Sequence, residues 1–173
     1  MRKKVLSILV ENTSGVLSHV SGLFSRRGYN IDSFSAGVTA DPRFTRMTIV
    51  TSGDELVLEQ IEKQVAKLED VVDIKILESS NSVVRELMIV KLSTKSAVRA
   101  DSVFSLKEIV VDSFHGKFVD HTPDSVVVEI TGNTDKLDQF LLDITADGYE
   151  ILELARTGLT GLSRGTDDVL MLD

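Results

Sequence analysis

The sequence has no cysteine. Disulfide frameworks, cysteine-based zinc sites and thiol nucleophiles are excluded together, and the absence suits a reducing cytoplasm. No apolar run approaches the roughly 18 residues needed to cross a bilayer. The N-terminus, MRKKVLSILVEN, places basic residues ahead of a short apolar run. That run stops at Glu11 and no small-residue cleavage site follows, so it reads as a first β-strand and not as a signal peptide. Basic clusters are also scarce. The net charge is −8, with ten Lys/Arg against eleven Asp/Glu in residues 1–80 and nine against sixteen in 81–173. A chain that grips phosphates needs a basic patch. Only Arg2-Lys3-Lys4 and Arg26-Arg27 are locally basic, which argues against nucleic acid as a partner.

Catalytic signatures are missing in the same way. Ser14 sits in T-S-G, which is no nucleophile elbow, and no triad can be assembled. Gly15, Gly22 and Gly28 lie in or around a helix and match no phosphate loop, while Gly161 and Gly165 have no helix after them. Of the three histidines, His19 borders an apolar stripe as a surface residue. His115 and His121 flank Asp120 as half a metal site at most. No catalytic residue and no metal ligand is assigned.

The 173 residues, 42% hydrophobic and 27% charged, fit one large soluble domain or two small ones. Val5 to Val10 is a nearly continuous apolar run, as in a buried strand. After ENTSG, the apolar positions Val16, Leu17, Val20, Leu23 and Phe24 follow helical spacing, and Gly28 stands where a left-handed cap belongs. Ile31 to Val38 and Arg46 to Thr51 read as strands around an Asp41-Pro42-Arg43 turn. A helix follows Asp54 with Leu58, Ile61, Val65 and Leu68 on one face. Val72, Ile74 and Ile76 then alternate with polar residues as a half-buried strand.

The order β-α-β-β-α-β recurs. Leu87 to Leu92 reads as a strand and Val98 to Phe114 as a helix ending near Gly116. Lys117 to His121 and Ser125 to Thr131 form a hairpin. Asn133 or Thr134 caps a helix carrying Leu137, Phe140, Leu141 and Ile144, and Tyr149 to Arg156 is the last strand. Each half is a split βαβ unit with two helices on one face of a four-stranded antiparallel sheet. The fold class expected is α+β, with two ferredoxin-like βαββαβ domains. Residues 1–78 form the first, 79–84 a linker, and 85–173 the second with an irregular tail. The sheet face opposite the helices needs a cover, which makes self-association the physical expectation.

The informative segment is ENTSGVLSHV with GYNI beyond it. Asn12 offers an amide donor and acceptor, and Gly15 allows close approach because it has no Cβ. The following helix N-terminus suits a carboxylate, and Asn30 adds a second amide. Together they could hold an α-amino acid. The alternative is that Asn12 or Ser14 caps the helix and Gly15 relieves crowding.

The segments ENTSGVLSHVSGLFSRRGYNIDSF, DPRFTRMTIV and VLEQIEKQVAKL resemble the N-terminal ACT domain of acetohydroxyacid synthase (acetolactate synthase) small regulatory subunits. RELMIVKL, HTPDSVVVEITG and ARTGLTGLSRG resemble the C-terminal half of the same family. The resemblance implies a protein that is not an enzyme by itself. It would bind and activate a catalytic large subunit carrying thiamine diphosphate, magnesium and FAD, with no cofactor in this chain. It would also confer feedback inhibition by valine or another branched-chain amino acid in isoleucine, valine and leucine biosynthesis. The resemblance places the effector site between the ACT domains of a homodimer, at Asn12, Gly15 and Asn30 with Val16, Leu17 and Ile31 beside them. The transit peptide and tandem copies of plant members are absent, which implies a bacterial, cytoplasmic protein. Two other classes remain. One is a stand-alone enzyme such as a small phosphatase, which would need an arginine that loop 11–15 lacks. The other is an ACT-type amino-acid sensor acting on a different enzyme or on transcription; a transcriptional one should carry a helix-turn-helix and a basic surface.

Overall fold

The structure is a computed structural model describing residues 2–95 and 106–166. They divide into two compact units, drawn from Met1–Val84 with Gly158–Asp173 and from Arg85–Thr157.

The first unit runs β1 (Arg2–Glu11), α1 (Val16–Arg27), β2 (Ser33–Val38), β3 (Phe44–Gly53), α2 (Glu55–Val65) and β4 (Val71–Ile76). Its antiparallel sheet has the order β2-β3-β1-β4. The apolar run read from sequence becomes the central strand β1, with Leu6, Ile8 and Val10 facing the helices. The stripe Val16, Val20, Leu23 and Phe24 of α1 and Leu58, Ile61 and Val65 of α2 close over them. Burying a side chain of this kind contributes about 1.5–3 kcal/mol, so packing, not helix propensity, fixes these elements. The ends are set locally. Asp54 caps α2 by accepting from Val57 N–H at 2.8 Å. Gly28 ends α1 at φ 66°, donating its N–H to carbonyls of the last turn.

The second unit repeats the order. It comprises most of β5 (Ser82–Ser93), a π-helical segment π1 (Glu108–Ser113), β6 (Lys117–His121), β7 (Ser125–Gly132), α3 (Thr134–Ala146) and β8 (Ile151–Arg156). The sheet order β6-β7-β5-β8 matches that of the first unit, strand for strand. Met88, Val90, Leu92, Val126, Val128 and Ile130 meet Leu137, Phe140 and Ile144 of α3, and Phe114 meets Phe140 edge-to-face at 5.2 Å. Asn133 caps α3 through Lys136 N–H.

Three sequence expectations are revised. Of the helix read over 98–114, residues 98–105 lie outside the described residues; Leu106, Val110 and Phe114 are buried as expected, but Glu108–Ser113 winds as a π-helix. The linker 79–84 is shorter, because Ser82–Val84 already belong to β5. The tail, expected to be irregular, forms a further strand, β9 (Thr160–Ser163), which pairs with β5 and belongs to the first unit. Its glycines hid it: the period-two pattern of a strand needs side chains to show.

Among the described residues no buried side-chain nitrogen or oxygen lacks a partner. The most demanding polar cluster is in the second unit. The Arg156 guanidinium donates to both oxygens of Glu86, at 2.9 and 2.7 Å, and to Asp138 at 2.6 Å. Glu86 is only 6% exposed. Its hydrogen bonds and those of Asp138 hold the guanidinium pKa well above its ordinary value, against desolvation. Replacing Arg156 with Met should leave the Glu86 charge buried and unpaired. Full-length protein should then lose about 3 kcal/mol of stability in denaturant titrations, whereas Glu86→Gln/Arg156→Met should recover part of the loss.

Candidate effector site

The loop between β1 and α1 is held at one end of the first sheet by the β2–β3 turn. Asn12 N–H donates to Arg43 O at 2.7 Å, and its Nδ2 donates to Pro42 O at 2.9 Å. Thr45 Oγ1 donates to Asn12 Oδ1 at 3.1 Å. The turn is itself locked, since Arg43 donates to Asp41 through Nε and Nη2, and these bonds lower the Asp41 pKa. The Asn12 amide is thereby fixed in orientation while keeping a second Nδ2 hydrogen for another partner.

Neither Asn12 nor Ser14 caps α1. The N-cap is Gly15, left-handed at φ 95°, and no side chain accepts from the first turn. Among the described residues, α2 and α3 both have side-chain caps. Free N–H groups and the positive end of the helix dipole therefore meet at an exposed loop. Val16 is 3% exposed and anchors α1 in the core, so it can offer a ligand only its backbone. Leu17 is 52% exposed and available.

His19 is a feature the sequence reading did not connect to this loop. Its Nδ1 lies 2.7 Å from Asp70 Oδ2, and its Nε2 would be 3.9 Å from a Cβ at position 15. The spacing of four between Gly15 and His19 on one helix was the available signal, because helical side chains lean back toward the preceding turn.

Asn30 and Ile31 lie elsewhere. Asn30 Nδ2 donates to Asp32 Oδ1, its carbonyl accepts from Thr51 Oγ1 at 2.6 Å, and Ser52 Oγ also reaches Asp32 Oδ1. Ile31 is half-buried against the core. The helix between the two groups has 12 residues, about 18 Å at 1.5 Å per residue. Phe44, which pairs with Glu11, and Thr51 are separated along β3 by about 24 Å at 3.4 Å per residue. One chain therefore brings Asn12, Gly15 and Leu17 together and leaves Asn30 and Ile31 at the far end of α1. A cavity of about 490 Å³ in the same unit, lined by Arg2, Lys4, Glu55, Leu77 and Ser80 among others, includes none of these residues.

Comparisons with known proteins show the family to which the chain is similar. A family profile described as AHAS small subunit-like ACT domain matches residues 6–73, and one described as small subunit of acetolactate synthase matches 85–165. The chain is 48% identical over 163 residues to the acetolactate synthase isozyme 3 small subunit of Escherichia coli (strain K12), spanning 94% of this chain and 96% of that one. It is 44% identical over 162 residues to the probable acetolactate synthase small subunit of Methanothermobacter thermautotrophicus, spanning 94% and 93%. The crystal structure of the acetolactate synthase small subunit from Thermotoga maritima superposes with a TM-score of 0.82 at 34% identity, spanning 96% of this chain and 99% of that one.

Two glycines of α1 should respond oppositely to the same substitution. Gly15→Ala forces a side chain into a left-handed conformation and should lower stability by about 1 kcal/mol. Gly22→Ala, in the helix interior, meets only the flexible end of Arg26 at 3.3 Å and should raise stability by about 0.5–1 kcal/mol. Urea midpoints of the two variants decide the point; equal shifts would mean that Gly15 is not strained.

Proposed function

The chain belongs to the family of acetolactate synthase small subunits, and on that premise we propose how it senses its effector. It is a regulatory, non-catalytic subunit, and its partner is the catalytic large subunit of acetolactate synthase. Beyond this, our reading is that two copies pair through their first units. The Asn12–Gly15–Leu17 group of one copy then faces the Asn30–Ile31 group of the other. The observation that carries it is the placement of these two groups at opposite ends of α1, so that only a second copy can complete a site.

In this arrangement the α-carboxylate of a branched-chain amino acid, valine foremost, accepts from the uncapped first turn of α1. The amides of Asn12 and Asn30 take the remaining polar groups, and Leu17 and Ile31 line the aliphatic side chain. Occupancy favours the paired arrangement with lower activity, because the ligand binds it better than the alternative. Thiamine diphosphate, magnesium and FAD belong on the large subunit in this reading, and the holoenzyme works in the cytoplasm.

The isolated chain should form no acetolactate from pyruvate, and should raise turnover when added to its large subunit. Gly15→Asp strains the backbone and sets a carboxylate beside that of the ligand. Like charges about 4 Å apart repel by several kcal/mol at an effective dielectric near 20, so valine response should vanish while stimulation persists. Asn12→Ala and Asn30→Ala each remove an amide worth roughly 1.5–3 kcal/mol to a charged ligand, and inhibition should need about ten- to a hundredfold more valine. Titrating the reconstituted enzyme with valine, leucine and isoleucine measures each effect. Unchanged valine sensitivity in a folded Gly15→Asp variant would exclude this loop.

A further inference from the structure

The two amides at the ends of α1 are held in opposite senses, and in each case the partner forces the sense. Asn12 Nδ2 meets Pro42 O at 2.9 Å, and a carbonyl oxygen only accepts. Asn12 Oδ1 then turns to Thr45 Oγ1, which donates to it at 3.1 Å. Asn12 therefore keeps a donor, its second Nδ2 hydrogen, for a ligand.

At the other end of α1 the bonding is reversed. Asn30 Nδ2 donates to Asp32 Oδ1, and a carboxylate likewise only accepts. Asn30 therefore keeps an acceptor, its Oδ1, for a ligand. Strand β3 fixes the neighbouring Asp32 twice. Ser52 Oγ donates to Asp32 Oδ1 at 3.2 Å, and Asp32 N–H donates to Val50 O at 2.8 Å. Asp32 is nevertheless exposed, and among the described residues no Lys, Arg or His forms an ion pair with it. The two arginines in the last turn of α1 are engaged elsewhere. Arg27 Nη2 donates to Gln64 Oε1 at 3.4 Å, and Arg26 Nη1 would lie 3.3 Å from a Cβ at Gly22. A fixed carboxylate with no cation beside it thus stands at the negative end of the helix dipole.

We infer that Asp32 recognises the ammonium of the effector, and so separates an α-amino acid from a carboxylic acid that lacks the amine. The inference rests on the paired effector site proposed above. In that site the first turn of α1 and the Asn12 donor match the oxygens of the ligand carboxylate. On the other copy, Asn30 Oδ1 and the Asp32 carboxylate, tied together by their hydrogen bond, match an ammonium, which has only donors. A hydrogen bond to a charged partner is roughly twice as strong as a neutral one, so Asp32 contributes more of the discrimination than Asn30 does. This enzyme needs such discrimination. Pyruvate presents a carboxylate and no ammonium, and a sensor that read the carboxylate alone would answer to substrate.

The test follows valine inhibition of holoenzyme reassembled with full-length Asp32→Asn or Asp32→Glu. Asn keeps the shape and removes the charge; Glu keeps the charge and alters the shape. Asp32→Asn should need about ten- to a hundredfold more valine, while Asp32→Glu should stay within about fivefold of the unaltered protein. Thermal melts should show both variants folded. A third measurement needs no variant: 3-methylbutanoate, which is valine without its ammonium, should inhibit the unaltered holoenzyme at least about a hundredfold more weakly than valine. Unchanged valine response in Asp32→Asn would overturn the inference, and so would 3-methylbutanoate as potent as valine. A loss in Asp32→Glu as large as in Asp32→Asn would make the role of Asp32 structural and overturn it equally. The site itself is judged by Gly15→Asp. If that variant loses its response while Asp32→Asn keeps it, the site stands and only the role of Asp32 falls. If Gly15→Asp keeps its full response, both fall.

Discussion

Strand β1 is buried on both faces from Leu6 to Val10, and the first unit is organised by the need to cover it twice. It lies between β3 and β4, so its backbone groups are paired on both sides. Its alternate side chains then fall on opposite faces. Leu6, Ile8 and Val10 are met by the apolar stripes of α1 and α2. Ser7 and Leu9 are buried on the face opposite the helices, which extends through β3 to Ser33 and Ser35 of β2. A strand that can leave neither face in water needs a cover on both.

The same strand delivers the candidate site. It ends at Glu11, and the loop that follows is pinned to the β2–β3 turn through Asn12 before α1 begins at Gly15 without a side-chain cap. A missing cap costs helix stability, typically about 1 kcal/mol. Among the described residues, α2 and α3 avoid that cost with Asp54 and Asn133. The unsatisfied N–H groups of α1 lie where an anion from outside the chain would satisfy them, beside a side-chain amide already oriented by two hydrogen bonds. Because α1 carries Asn30 and Ile31 away to its far end, the site we propose needs a second copy to complete it.

The two units share a topology and differ in how they are locked. The first uses apolar packing and hydrogen bonds between β2 and its tail. The second adds a charged cluster, in which Arg156 ties β8 to β5 through Glu86 and to α3 through Asp138. That cluster fixes Arg156, the last residue of β8.

What the sequence determined by itself was the alternation of elements, because hydrophobic period is a local property. Period 3.6 in α1 and α2, near-continuous apolarity in β1 and alternation in β4 each survive without knowledge of the rest of the chain. The left-handed glycine at 28 marked the end of α1 for the same reason. The loop 12–15 was legible as polar and glycine-bearing, but whether Asn12 capped the helix or looked outward was not. That depended on Pro42, Arg43 and Thr45, some thirty residues away. Tertiary structure alone decided that Asn12 and Asn30 lie at opposite ends of one helix, that His19 leans over Gly15 toward Asp70, and that the glycine-rich tail returns to the first sheet. Each of these is a long-range contact made by backbone or by short side chains. Such contacts leave no periodic trace in a sequence, because their energy comes from geometry that exists only once the sheet has formed.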